Sequence, residues 1–111
     1  MKAFLYFPPL VGSILAAMGQ VAFKFGATGK HYLSDYLNGW ILLGLLFYGA
    51  GTALWIFALG RANLTVVYPF TALTFVLVYL VGVFALGEPT SPLQLFGVAI
   101  ILIGLYVIMA N

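Results

Sequence analysis

Gln20 and Lys24 stand one helical turn apart inside a stretch that otherwise reads as a membrane span. At 3.6 residues per turn they share a face. An amide and an ammonium placed there can hold an anionic or hydrogen-bonding substrate group, and ionisable residues inside a membrane are costly and often functional. A plainer reading stands beside it. Lys24, about 24 Å along the helix from Pro8 at 1.5 Å per residue, snorkels to the headgroups, while Gln20 makes a structural interhelical hydrogen bond. A second group follows further along the chain. Tyr68, Thr71, Phe75 and Tyr79 fall on one helical face, continued by Gly82, within an uncharged run from Val66 to Leu86. A span that only anchored would need neither these hydroxyls nor Pro69, so this helix is expected to face a cavity or a partner helix. Tyr48 falls near the middle of another span, where its hydroxyl needs a partner.

The remaining charges sit at the ends of spans. Arg61 lies in the turn Gly60-Arg61-Ala62-Asn63, and Glu88 in Gly87-Glu88-Pro89. Arg61 is a candidate phosphate partner together with Lys24, and Glu88 a candidate for an amino group. The bland alternative for Glu88 is an interfacial carboxylate near the positive end of the following helix. No nucleophile–base pair is present, so no catalytic residue and no enzyme activity is expected. His31 reads as a solvated loop histidine. With no cysteine and no carboxylate cluster, neither a metal site nor a cofactor is expected.

The elements that must position these residues are apolar helices. Of 111 residues 65% are hydrophobic and 5% charged, from which no soluble surface can be assembled. The length suits one unit of four spans without an extramembrane domain, at about 8–27, 39–59, 66–86 and 92–109. The first apolar run is too long for a cleavable signal peptide. Pro8 and Pro9 suit a helix start, with Phe4, Tyr6 and Phe7 at the entry interface. Gly12, Gly19 and Gly26 recur every seven residues in the first span, as Gly44 and Gly51 do in the second and Gly97 and Gly104 in the fourth. Such strips allow backbones to approach closely. Beside the first strip lie Ser13, Ala16, Ala17, Gln20 and Lys24. Tyr32, Tyr36 and Trp40 make an interfacial turn before the second span, where Trp55 reads as a belt residue next to Tyr48 and Thr52. Ser91, Pro92 and Gln94 form a capping-box pattern. The fourth span carries few polar side chains, so Gly97 and Gly104 are assigned to dimer packing.

Taken together, Gly19-Gln20 and Lys24, Tyr68-Pro69, Leu86-Gly87-Glu88 and Gly97-x6-Gly104 resemble the small multidrug resistance fold of the drug/metabolite transporter superfamily. Within it the chain is most similar to the small subunits of the aminoarabinose–phosphoundecaprenol flippase. The resemblance covers the whole chain. It implies an all-α membrane protein of four transmembrane helices that assembles as a dimer in the bacterial inner membrane. One departure matters. The exporters of that fold carry a first-helix glutamate eight residues before the lysine, and here that position is Ala16. Proton-coupled export of lipophilic cations therefore has no evident carboxylate, whereas the flippase subunits lack that glutamate too.

The resulting expectation is a flippase subunit moving a polyprenyl-phosphate-linked sugar, aminoarabinose among the candidates, between leaflets. Its partners would be membrane lipids and an identical or homologous four-helix subunit, without nucleic acid. A small-molecule exporter lacking the usual glutamate and a non-transporting scaffold are the alternatives. The substrate-binding set is Gln20, Lys24, Tyr48, Arg61, Tyr68, Thr71 and Glu88, with Gln20, Lys24, Tyr48, Tyr68 and Thr71 expected around one cavity. Lysine and arginine divide evenly between the two membrane sides: Lys2 and Arg61 on one, Lys24 and Lys30 on the other. The orientation preference is therefore expected to be weak.

Overall fold

The computed structural model describes residues 2–110, and side chains from Leu5 onward. The described residues form α1 (Lys2–Ala27), a 3-10 turn (Leu33–Tyr36), α2 (Gly39–Leu59), α3 (Leu64–Val67), α4 (Phe70–Phe84) and α5 (Pro92–Ala110). Four segments are long and apolar enough to cross a membrane: Leu5–Ala27, Gly39–Leu59, Leu64–Phe84 and Pro92–Ala110. The chain is an all-helical, four-span membrane protein.

α1 begins six residues before the start read from the prolines, so Pro8 and Pro9 lie inside the helix. Each proline removes one backbone hydrogen bond, and tertiary contacts hold the turn that precedes them. Pro9 is fully buried. The Tyr6 hydroxyl donates to the Met109 carbonyl at 3.4 Å, and its ring lies 5.9 Å from that of Phe70. At the other end, Gly29 takes a positive φ of 74° just past the helix, the left-handed turn that ends many helices. Asn38 then joins two helix ends. Its side-chain oxygen accepts from the N–H groups of Trp40 and Ile41, capping α2, and its amide donates to the Gly26 carbonyl at 3.0 Å. Tyr32, Leu33 and Leu37 stay exposed around the 3-10 turn, an apolar surface suited to the membrane interface.

The glycine strips of α1 and α2 face each other. A Cβ on Gly12 would stand 3.1 Å from the Gly51 carbonyl oxygen, and one on Gly51 2.9 Å from that of Gly12. Gly19 and Gly44 repeat the relation at 2.9 Å in both directions. In each pair the residue numbers add to the same value, as antiparallel neighbours require. Backbones this close are the reason the strips carry no side chain.

The third span is broken at Tyr68–Pro69 rather than continuous from 66 to 86. Proline has no N–H for the Thr65 carbonyl. The bonds instead run from Thr71 N–H to the Tyr68 carbonyl and from Ala72 N–H to that of Pro69. After α4, Gly87 at φ 69° turns the chain. Only half of the capping box forms at α5. Ser91 Oγ accepts from the Gln94 N–H at 3.2 Å, but the Gln94 side chain accepts from the Tyr79 hydroxyl, which also pairs with Thr90. A tertiary partner has displaced the local one.

α1 packs most closely on α2, then on α4, and α4 carries α5. The Cα envelope is 46 × 36 × 17 Å. Four axes side by side at 8–10 Å spacing need roughly 30–35 Å, so the helices form one curved layer. α5 is its outer edge, with Leu93, Phe96, Ile103 and Tyr106 more than 60% exposed.

Candidate functional site

On one side of that layer α1, α2 and the broken α3–α4 helix enclose an open pocket of about 280 Å3. α1 contributes Gly12, Ser13 and Ala16; α2 contributes Tyr48, Gly51, Thr52 and Trp55; Tyr68, Thr71 and Thr74 close it. The glycines make its back wall, because two backbones in contact leave the neighbouring side chains to form a concavity.

The lining carries six hydroxyls and no charge. Three are committed as donors. Ser13 Oγ, 1% exposed, donates to the Phe70 carbonyl at 3.0 Å, and Thr52 Oγ1 to the Tyr48 carbonyl at 2.8 Å. Thr74 Oγ1 lies 3.3 Å from the Ser13 carbonyl and 3.4 Å from that of Phe70. Ser13 and Thr74 thus tie α1 to α4 in both directions. Among the described residues, the hydroxyls of Tyr48, Tyr68 and Thr71 have no hydrogen-bond partner. Each can both donate and accept; Tyr48 comes from α2, Tyr68 from the break between α3 and α4, and Thr71 from α4. Trp55 meets Tyr68 edge to face, at 6.5 Å and 73°. It is half-buried and forms a wall of this pocket.

Tyr68 has a second exposure. With Leu64, Pro69, Ala72, Ile101, Gly104 and Leu105 it lines a groove of about 790 Å3 between α3–α4 and α5, almost wholly apolar. Its side chain therefore borders both the hydroxyl-lined pocket and the apolar groove.

The other expected site residues lie elsewhere. Gln20 is exposed and does not line the pocket. By helical phase it continues the Ser13 face of α1 toward Lys24. Lys24, in the last turn of α1, pairs with Glu88 at 3.8 Å, both side chains about half exposed. Glu88 lies over Gly82, where a Cβ would stand 2.8 Å from its carboxylate, and its N–H donates to the Gly82 carbonyl. Glu88 is thus matched with Lys24 rather than with the end of α5. Arg61 is exposed and stacks 4.2 Å over the Phe57 ring. Because α1 and α2 are antiparallel, Arg61 and Lys24 mark opposite ends of the layer, about 30 Å apart by the length of α2. They cannot share one phosphate. Gly97 and Gly104 meet nothing within 4 Å of a built Cβ; Gly104 borders the apolar groove, and Gly97 a smaller hollow beside Phe75 and Tyr79.

The residues that sequence reasoning had not placed in a site are Gly12, Ser13, Ala16, Gly51, Thr52, Trp55 and Thr74. A signal for some existed. Gly12, Ser13 and Ala16 share one helical face, and Thr52 and Trp55 follow Tyr48 at helical spacing. Which faces converge was not readable from any one helix.

Four spans, with a hydroxyl-lined pocket opening beside an apolar groove, make this a multi-pass membrane protein. The chain belongs to the EamA-like transporter family, whose model matches residues 3–110. Among its relatives is a probable 4-amino-4-deoxy-L-arabinose-phosphoundecaprenol flippase subunit ArnE of Pseudomonas savastanoi, 31% identical over 87% of this chain and 90% of that protein. The corresponding ArnE of Serratia proteamaculans is 33% identical over 89% and 90%. A probable ArnF subunit of the same flippase from Shewanella sediminis is 40% identical over 90% and 83%. No solved structure gives a significant match.

Proposed function

We propose that this chain is a subunit of a flippase that moves a polyprenyl-phosphate-linked sugar between the leaflets of the bacterial inner membrane. The observation that carries the reading is Tyr68, which borders both the hydroxyl-lined pocket and the apolar groove. A lipid-linked sugar has the same two halves. Its ring needs hydrogen bonds in place of water, and its isoprenoid chain needs only to remain among apolar groups. Arg61 and Lys24, one at each end of the layer, would meet the phosphate as it approached either surface, Lys24 exchanging Glu88 for it. Gln20 would lie on the path between pocket and Lys24. The relatives named as flippase subunits support this reading and make their aminated pentose the first sugar to test.

A single layer leaves the pocket open on one side, and a second four-helix unit, identical or homologous, would close it. Gly97 and Gly104, open on α5, are the proposed contact. The test is proteoliposomes holding a labelled polyprenyl-phosphate-linked sugar, with leaflet exposure read by a membrane-impermeant oxidant. Exchange should require the protein and slow in Tyr68→Phe and Thr71→Val. Exchange no faster than in empty liposomes would reject the flippase reading. Proton-coupled efflux of lipophilic cations would replace it with the exporter reading.

A further inference from the structure

We infer that Gly82 seats the Glu88 carboxylate as a built-in competitor for Lys24, so that a phosphate taken up by Lys24 is also let go. The inference rests on the flippase reading, in which Lys24 meets the phosphate, and adds what limits its grip. The seat is specific. Among the described residues, a Cβ built on Gly82 would stand 2.8 Å from a Glu88 carboxylate oxygen and 3.6 Å from the carboxyl carbon. Beyond the backbone of its own helix it meets no other atom within 4 Å. The space a side chain would take is filled by that carboxylate alone. The turn after α4 delivers it there. Gly87, at φ 69°, reverses the chain, and the Glu88 N–H donates to the Gly82 carbonyl at 3.0 Å.

Stability does not account for this placement. The carboxylate lies against the last turn of α4, where the carbonyl end of a helix disfavours negative charge. Its contact with Lys24 Nζ, at 3.8 Å, is longer than a hydrogen bond. Both side chains are about half exposed, so the pair adds little to the fold. What the seat does provide is a negative charge fixed beside the ammonium. Among the described residues Lys24 Nζ donates no hydrogen bond, so its three N–H groups remain for phosphate oxygens. Charge-assisted bonds of that kind are among the strong ones. A phosphate that takes them parts Glu88 from its counter-ion and comes to rest beside a like charge. Its hold is weakened and its departure hastened. A lysine without such a competitor would retain the lipid at one surface, whereas exchange between leaflets needs release as well as capture.

The experiment uses the full chain and two readouts. Binding of a radiolabelled short-chain isoprenyl phosphate is measured in lipid nanodiscs. Exchange of the labelled polyprenyl-phosphate-linked sugar is measured in proteoliposomes over a range of lipid mole fractions. Two variants remove the same charge by different routes. Glu88→Gln neutralises it, and Gly82→Ala displaces it, since the obstacle there is the far end of a flexible side chain. Each should bind the phosphate roughly 2- to 5-fold more tightly, the range of an exposed ion pair. Each should also lower both the half-saturating mole fraction and the maximal exchange rate, a split that a loss of folded protein would not produce. The double variant should bind no more tightly than either single one, and in a Lys24→Ala background neither change should matter. Unchanged or weaker phosphate binding in both variants would overturn the inference and leave the flippase reading standing. Tighter binding in Glu88→Gln alone would refute the seat at Gly82. If the unaltered chain bound the phosphate but gave exchange no faster than empty liposomes, the flippase reading would fall, and the release role with it.

Discussion

Replacing Gly51 with alanine tests the backbone contact between α1 and α2, and Gly49 in the same helix supplies the control. A Cβ at position 51 would stand 2.9 Å from the Gly12 carbonyl oxygen and 3.3 Å from both the Ala16 nitrogen and the Leu15 Cβ. Ordinary contact begins near 3.4 Å, so α1 and α2 must separate by about 0.5 Å. Two of the three obstacles are backbone atoms, which no rotamer change can move. Forcing an extra methyl into such packing costs roughly 1–3 kcal/mol. At Gly49 nothing lies within 4 Å. There the methyl only removes the backbone freedom of glycine, which stabilises a helix interior by roughly 0.5–1 kcal/mol. One substitution, made two residues apart, thus has opposite signs, and the variants should differ by about 1.5–4 kcal/mol. The assay is SDS-driven unfolding of the purified protein in mixed micelles, followed by tryptophan fluorescence. Gly19→Ala, 2.9 Å from the Gly44 carbonyl oxygen, should behave like Gly51→Ala. A Gly51→Ala protein as stable as Gly49→Ala would refute the backbone contact and, with it, the back wall of the pocket.

The Lys24–Glu88 pair is half exposed, so Lys24→Ala should change stability by less than about 1 kcal/mol, yet lower transport more than Lys24→Arg does. Equal transport by both would show that Lys24 only snorkels. In the same assay Lys24→Glu should be impaired and Lys24→Glu/Glu88→Lys partly restored; no recovery would argue against the pairing. Leucine at Gly97 and Gly104 meets open space in this chain, so it should spare the fold while reducing cross-linked dimer in membranes, and an unchanged yield would remove α5 as the interface. With Lys2 and Arg61 at one end and Lys24 and Lys30 at the other, a C-terminal reporter should appear on both sides of the membrane. Two lysines added to the 28–38 loop should shift it, and a reporter confined to one side in both proteins would rule out the balanced orientation.

Four spans, their approximate extent and the inventory of polar side chains within them were legible in the sequence. Each depends on local composition and on the 3.6-residue period. The glycine strips were legible too, as surfaces that let a backbone approach. Only the tertiary structure decided their partners: Gly12 and Gly19 meet Gly51 and Gly44, whereas Gly97 and Gly104, at the same spacing, meet nothing within 4 Å. Periodicity describes one helix at a time and is silent on which faces of different helices are opposed. The same limit explains the site. Gln20 and Lys24 share a helical face with Ser13, but the curvature of the layer closes over Ser13, which reaches Phe70 and Thr74 across 57 and 61 positions of sequence. Near Lys24 it brings Glu88 instead. Local rules failed where a distant group competed. Pro8 and Pro9 signal a helix start, yet the Tyr6 contacts with Phe70 and Met109 sustain an earlier turn. Gln94 is spaced to cap its own helix, and Tyr79 takes its side chain. Local signals set what each helix is; the crossing of α1 with α2 and α4 sets which hydroxyls surround a common space, because that contact joins residues no single helix contains.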